Sequence, residues 1–211
     1  MVNAYEMRLI RAKQNEYFRY RYTYMAVKLE YKCKLKNYAE AERLASAAFF
    51  TQYMKDDFSE RSIIGSYYDT PYNDLANNEF ELRVSRVYRM TIADLKQGRY
   101  DQDGFLNGNH WTCKFMGAYT VMLRLRERGA PHIELSAPLS PTITFNFKRR
   151  YTTLYMPDQI RAELSFESYP NKIYMGLELL YGSDAGFKLI TEDFRNSMAA
   201  EIAALAVSEN V

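Results

Sequence analysis

At 211 residues the chain is long enough for one all-β barrel, and a hydrophobic share of 47% supplies a core. Its 19 Tyr and 12 Phe favour strands over a helical bundle. With 28 Lys plus Arg against 26 Asp plus Glu, the net charge of +2 gives no bulk attraction to nucleic acid or a membrane surface, so any anion must be recognised by charges gathered locally.

Residues 3–20 have helix-compatible content and read as an N-terminal helix or arm. The clearest strand follows, with Val27, Leu29, Tyr31, Cys33 and Leu35 on one face and Lys28, Glu30, Lys32 and Lys34 on the other. Asn37 is placed to cap a helix over about 38–53, whose apolar side is Ala41, Leu44, Ala45, Ala48 and Phe49. Residues 62–68 form a strand that ends in Tyr67-Tyr68. Asp69-Thr70-Pro71 supplies a turn and Asn77-Asn78 a second break. A strand with Phe80, Leu82 and Val84 facing one way and Glu81, Arg83 and Ser85 the other comes next, and residues 87–92 are expected to continue it.

Residues 96–109, with Gly98, Gly104 and Gly108, read as a hairpin connection. Alternating pieces at 110–116, 119–126, 132–136 and 142–151 read as further strands, the last with Lys148 and Arg150 on one face. Strands at 160–166 and 173–181 flank a Tyr169-Pro170-Asn171 turn. The first carries Arg161, Glu163, Ser165 and Glu167 on one side, and the second carries Gly176 and Glu178. Thr191 is expected to cap a final helix over 191–207, buried through Phe194, Met198, Ile202 and Leu205.

Cys33 and Cys113 have no pairing pattern, and neither His110 nor His132 sits at metal-ligand spacing, so a reducing compartment is expected. No apolar run approaches membrane-span length and no signal peptide is evident, which points to a soluble cytoplasmic protein with no membrane partner.

Charge recurs on alternating strand positions: Glu30 and Lys32, Arg83, Lys114, Arg124 and Arg126, Lys148 and Arg150, Glu163, Glu178. On an open sheet such faces are solvated. On a barrel closed with that side inward they would line a polar tunnel, where Lys and Arg suit phosphate oxygens and carboxylates suit a hard divalent cation.

Tyr67-Tyr68-Asp69-Thr70-Pro71, followed about ten residues later by Leu82-Arg83-Val84, resembles the signature of the CYTH superfamily, the triphosphate tunnel metalloenzymes. Trp111-Thr112-Cys113-Lys114, Phe147-Lys148-Arg149-Arg150-Tyr151, Glu163 to Glu167 and Gly176-Leu177-Glu178-Leu179-Leu180 resemble its later strands in the same order. The resemblance implies an α+β, mainly β fold: one domain built as a closed eight-stranded antiparallel tunnel barrel with flanking helices. It implies a triphosphatase, an acid anhydride hydrolase that uses magnesium or manganese. The partner is then a triphosphate or nucleotide small molecule, with nucleic acid involved only if an RNA 5′-triphosphate is the substrate.

Carried onto this chain, Lys32, Arg83, Lys114, Lys148 and Arg150 would hold phosphates. Glu30, Glu163 and Glu178 would be the metal-side carboxylates, Glu30 and Glu178 also catalytic. The chain departs from the pattern twice: Lys28 stands where the first Glu of a Glu-x-Glu-x-Lys strand belongs, and Gly176 where the first Glu of the last Glu-x-Glu belongs. A non-catalytic module binding nucleotide or polyphosphate on the same fold is therefore a second expectation, and an aromatic-rich structural β domain a third.

Overall fold

The structure is a computed structural model that describes residues 26–87 and 90–208. The expected N-terminal helix or arm lies outside them, and so do the side chains of Ile202 and Leu205. Eight strands are present among the described residues: β1 Ala26–Leu35, β2 Ser59–Asp69, β3 Phe80–Val87, β4 Met90–Gln97, β5 Phe105–Lys114, β6 Ser140–Tyr155, β7 Arg161–Tyr169 and β8 Lys172–Tyr181. They hydrogen-bond in the order β1-β5-β4-β3-β2-β6-β7-β8, and β8 pairs back to β1. The fold is α+β, mainly β, with an antiparallel strand order that closes on itself. The helices are α1 Tyr38–Ala45, α2 Ala48–Thr51, α3 Asp74–Asn77, α4 Ala118–Arg126 and α5 Asp184–Ser208.

The residues gather into two compact units. One contains Ser66–Gln97 and Asn109–Ile143, and the other Lys28–Gly65, Gly98–Gly108 and Thr144–Val211.

In the second unit, strand alternation separates apolar from charged residues. Leu29, Tyr31 and Leu35 of β1, Ala162, Leu164 and Phe166 of β7, and Ile173, Met175 and Leu177 of β8 point to the side covered by α1, α2 and α5. There they meet Ala41, Leu44, Phe50, Phe187, Phe194 and Met198. Each fully buried Leu or Met here contributes roughly 1.5–3 kcal/mol. In the first unit, Leu82, Val84, Ala93, Leu95, Trp111 and Cys113 form the equivalent apolar face under Leu75 of α3 and Val121 and Leu125 of α4.

Several elements differ from the sequence reading. Residues 119–126 are helix α4, because Val121 and Leu125, one turn apart, are the buried pair while Tyr119 and Leu123 are exposed. Residues 132–136 form no strand. The helix expected over 38–53 breaks after α1, where Ser46 turns its hydroxyl back onto Glu42 O and Arg43 O. Residues 87–92 do not continue β3: Val87 and Met90 are register partners, so the chain reverses between them. The last helix starts a full seven residues before Thr191, at Asp184. Ser183 Oγ accepts from Gly186 N there, as an N-cap does, while Thr191 is buried in the helix and donates to Phe187 O.

Candidate functional site: a charged strand ladder

In the second unit the face turned away from the helices carries a ladder across four strands. Register places Thr153, Glu163, Glu178 and Glu30 on one rung, Tyr151, Ser165, Gly176 and Lys32 on the next, and Arg149, Glu167, Tyr174 and Lys34 on the third. Partners on a rung project to the same side, with Cβ atoms about 5 Å apart. Glu30, Glu178 and Glu163 therefore stand in a row on adjacent strands, and all three are buried.

Three like charges on one rung are held only if cations are near. Arg149 supplies one: its guanidinium donates to Glu163 Oε1 and, at 3.1 Å, to Glu167 Oε1. Lys32 Nζ donates to Glu167 Oε2 at 2.6 Å and lies 5.2 Å from the centroid of the Tyr174 ring. Arg61 of β2, also buried, sets its guanidinium 4.5 Å from the centroid of Tyr151 on the same face. Glu167 thus joins two cations, and the ladder is a cross-linked network spanning β6, β7, β8 and β1.

The expected phosphate ligands separate by face. Lys32 lies on the ladder with Glu30, Glu163 and Glu178. Lys148 and Arg150 do not: they pair with Ser168 and Phe166, on the helix-covered side. Arg150 donates to Glu42 of α1 at 2.6 Å, and Lys148, largely exposed, reaches Glu60 at 3.6 Å. The residue between them, Arg149, is the one aimed at the carboxylates. In a Lys-Arg-Arg run every phase of alternation carries a cation, so composition alone could not choose. Arg61 was missed because its segment, Ser-Glu-Arg-Ser, offers no alternating apolar partner to fix a face.

Arg83 and Lys114 lie on a polar face of the first unit, where rungs join Arg83, Asp94 and Thr112, then Ser85, Ile92 and Lys114. Asp94 Oδ1 accepts from the Thr112 hydroxyl at 3.0 Å and is 3.2 Å from His110 Nε2, while Arg83 is 3.5 Å from its other oxygen. His110 was not singled out in the sequence, because Asp94 is far away in the chain and adjacent only through β4–β5 pairing. Arg124, on α4, faces solvent and pairs with Glu127 at 3.3 Å.

The Tyr-Tyr-Asp-Thr-Pro signature has a structural role in this chain. Buried Asp69 accepts from Thr70 N at 2.8 Å, Leu75 N at 2.9 Å and Ala76 N at 3.0 Å, closing the turn and satisfying the start of α3.

A hard divalent cation needs several oxygen ligands converging on one point. The carboxylates of the ladder have the right chemistry, but Glu163 is engaged by Arg149, and among the described residues no three Asp, Glu, His or Cys side chains converge to hold an ion. As placed, the set does not fit a resident magnesium or manganese. No helix among the described residues is long and apolar enough to cross a membrane.

No family profile matches the sequence, and no curated protein matches it. Solved structures do. A Hippeastrum adenylyl-cyclase candidate, described as having a dominant triphosphatase activity, superposes with a TM-score of 0.54 at 14% identity over 82% of this chain and 88% of its own. A candidate adenylate cyclase from Bacillus halodurans does so with a TM-score of 0.52, again at 14% identity, over 82% of this chain and 92% of its own. The strand order and these superpositions show that the chain shares the barrel fold of these solved structures, the fold that its resemblance to the CYTH proteins led one to expect.

Proposed function

We propose that the ladder of the second unit binds the phosphate chain of an inorganic, nucleoside or organic triphosphate and hydrolyses it. The observation that carries this reading is the buried row Glu30, Glu178 and Glu163 standing one rung from Lys32 and two from Arg149. Cations that bind phosphate oxygens with charge-assisted hydrogen bonds sit beside carboxylates that can orient and deprotonate a water. In this reading Lys32 and Arg149 hold the phosphates, and Glu178 and Glu30 position the attacking water in line with the terminal phosphorus. Magnesium or manganese enters as the counter-ion of the substrate, and the reaction belongs to the cytoplasm, where nucleoside triphosphates are made and used.

The engagement of Glu163 by Arg149 and the glycine at 176 favour a second reading, binding without turnover. Phosphate release from inorganic triphosphate, ATP and thiamine triphosphate decides between them when wild type is compared with Glu178→Gln and a thermal shift is read on each sample. Release that disappears in Glu178→Gln while the shift persists supports hydrolysis. A shift without release in wild type supports binding alone, and no shift with any triphosphate removes both.

A further inference from the structure

We propose that the outward face of α4 docks the first unit onto an anionic lipid surface. This face lies on the opposite side of the sheet from Arg83 and Asp94, and its role is independent of the ladder in the second unit. Val121 and Leu125 fasten α4 to the apolar face of the sheet, so Tyr119, Leu123 and Arg126, at helical spacings of four and three, point away from it. Tyr119 is 99% exposed and Leu123 58%, and Met116, just before the helix, is 65% exposed. Large apolar side chains grouped in this way, with polar residues at their rim, mark an interaction surface.

Charge identifies what the surface meets. Arg124, Arg126 and Arg128 are all exposed beside the apolar row. They face a single carboxylate in that stretch, Glu127, 3.3 Å from Arg124 with both partners about half exposed. Such a pair is worth little, so a chain with a net charge of only +2 presents a basic patch here. The two arginines in the last turn also suit the helix dipole, but the dipole gives no reason for the exposed row next to them.

A second copy placed face to face would set arginines against arginines. Residues 1–25, with Arg8, Arg11, Lys13, Arg19 and Arg21 against Glu6 and Glu16, are themselves basic. Neither complements the patch. A groove on an acidic protein would have to enclose a helix whose inner half is already packed on the sheet, whereas a lipid surface yields around protruding side chains. The residue types match that surface: Leu and Met enter the acyl boundary, tyrosine sits at headgroup level, and arginines take lipid phosphates. At nine residues α4 can lie on a bilayer and is far too short to cross one.

The test is sedimentation of the full chain with vesicles of phosphatidylcholine alone and of phosphatidylcholine with about one-quarter phosphatidylserine, in roughly 0.1 M and 1 M salt. Wild type is expected to bind the mixed vesicles in low salt and to be released in high salt. Arg126→Gln is expected to weaken binding about fivefold, the effect of one cation near an anionic surface. Tyr119→Ser combined with Leu123→Ser is expected to weaken it at least as much while keeping the wild-type Tm, because neither side chain is buried. Lys188→Gln, which removes an exposed cation on α5, is expected to change nothing. Equal binding to both kinds of vesicle, undiminished binding in the α4 variants, an equal loss in Lys188→Gln, or no sedimentation at all overturns the proposal. Binding to soluble polyglutamate that the α4 variants impair, with no binding to vesicles, overturns it in favour of an acidic protein partner.

Discussion

Replacing Arg149 by Met tests whether the ladder is the dry, cross-linked network its geometry describes. The side chain is buried, and it bridges Glu163 and Glu167, whose own side chains are 10% and 5% exposed. Methionine preserves most of the volume and removes the charge, leaving Glu163 and Glu167 without the guanidinium they share. Removing one partner of a buried ion pair costs ~3–5 kcal/mol. Lys32, 2.6 Å from Glu167, still answers one of the two, so the lower end applies and the expected loss is about 3 kcal/mol.

For a chain of this length that corresponds to a fall in Tm of roughly 10 °C. Urea denaturation followed by circular dichroism measures it. The double variant Arg149→Met, Glu163→Gln should recover part of the loss, because the amide no longer leaves a buried charge opposite the methionine, and the non-additivity isolates the pair. A loss under about 1 kcal/mol, the worth of an exposed ion pair, would show that the rung is solvated and would remove the basis for reading it as a site.

Three further outcomes follow from other parts of the molecule. Asp69→Ala leaves three backbone N–H groups without their acceptor, one in the turn at Thr70 and two at the start of α3, and should lower stability by about 2 kcal/mol with local loosening seen as faster amide exchange at Leu75 and Ala76. Hydrogen bonds from the Ser136 hydroxyl and backbone hold the Asp74 carboxyl below its ordinary value of 3.8. A depressed carboxyl stabilises the fold above its unfolded pKa and loses that effect as pH falls through the folded value, so Asp74→Asn should match wild type in a Tm series only in acid below pH 3.8 and fall short of it near neutrality. Burial pushes the Cys113 thiol up to about 11 and raises that of Cys33, so both should react slowly with a thiolate-specific reagent at pH 8 until the chain unfolds; fast labelling of the native protein would contradict their packing.

What the sequence made legible follows from how each signal is encoded. In β1, β7 and β8 the alternation is unbroken and the apolar face is strong, so Glu30, Lys32, Glu163, Gly176 and Glu178 could be assigned to one face before any pairing was known. In β6 it failed. Lys148, Arg149 and Arg150 give both faces a cation, Phe147 is buried on the same phase as Arg149, and Leu154 on the opposite one, so the hydrophobic signal changes sides along the strand. A shift of one residue moves every side chain to the other face, and only hydrogen bonding to β7 settles it. Over 119–126 the apolar residues Val121, Leu123 and Leu125 fit a strand period as well as a helix period; burial under the first unit's sheet selects Val121 and Leu125 and discards Leu123.

The same limitation governs the chemistry. A carboxylate and a cation that alternate on a strand announce a polar face, but whether they answer an ion, a substrate or each other depends on the neighbouring strand. Glu163 illustrates this. In sequence it is a metal-side carboxylate by resemblance, whereas in the fold its register partners are Glu178 and Thr153 and its ion-pair partner is Arg149, 14 positions before it. The pairing of β6 with β7 thus places a cation where the sequence pattern alone suggested a metal, and the functional question becomes which anion, the carboxylate or an incoming phosphate, holds the guanidinium more strongly.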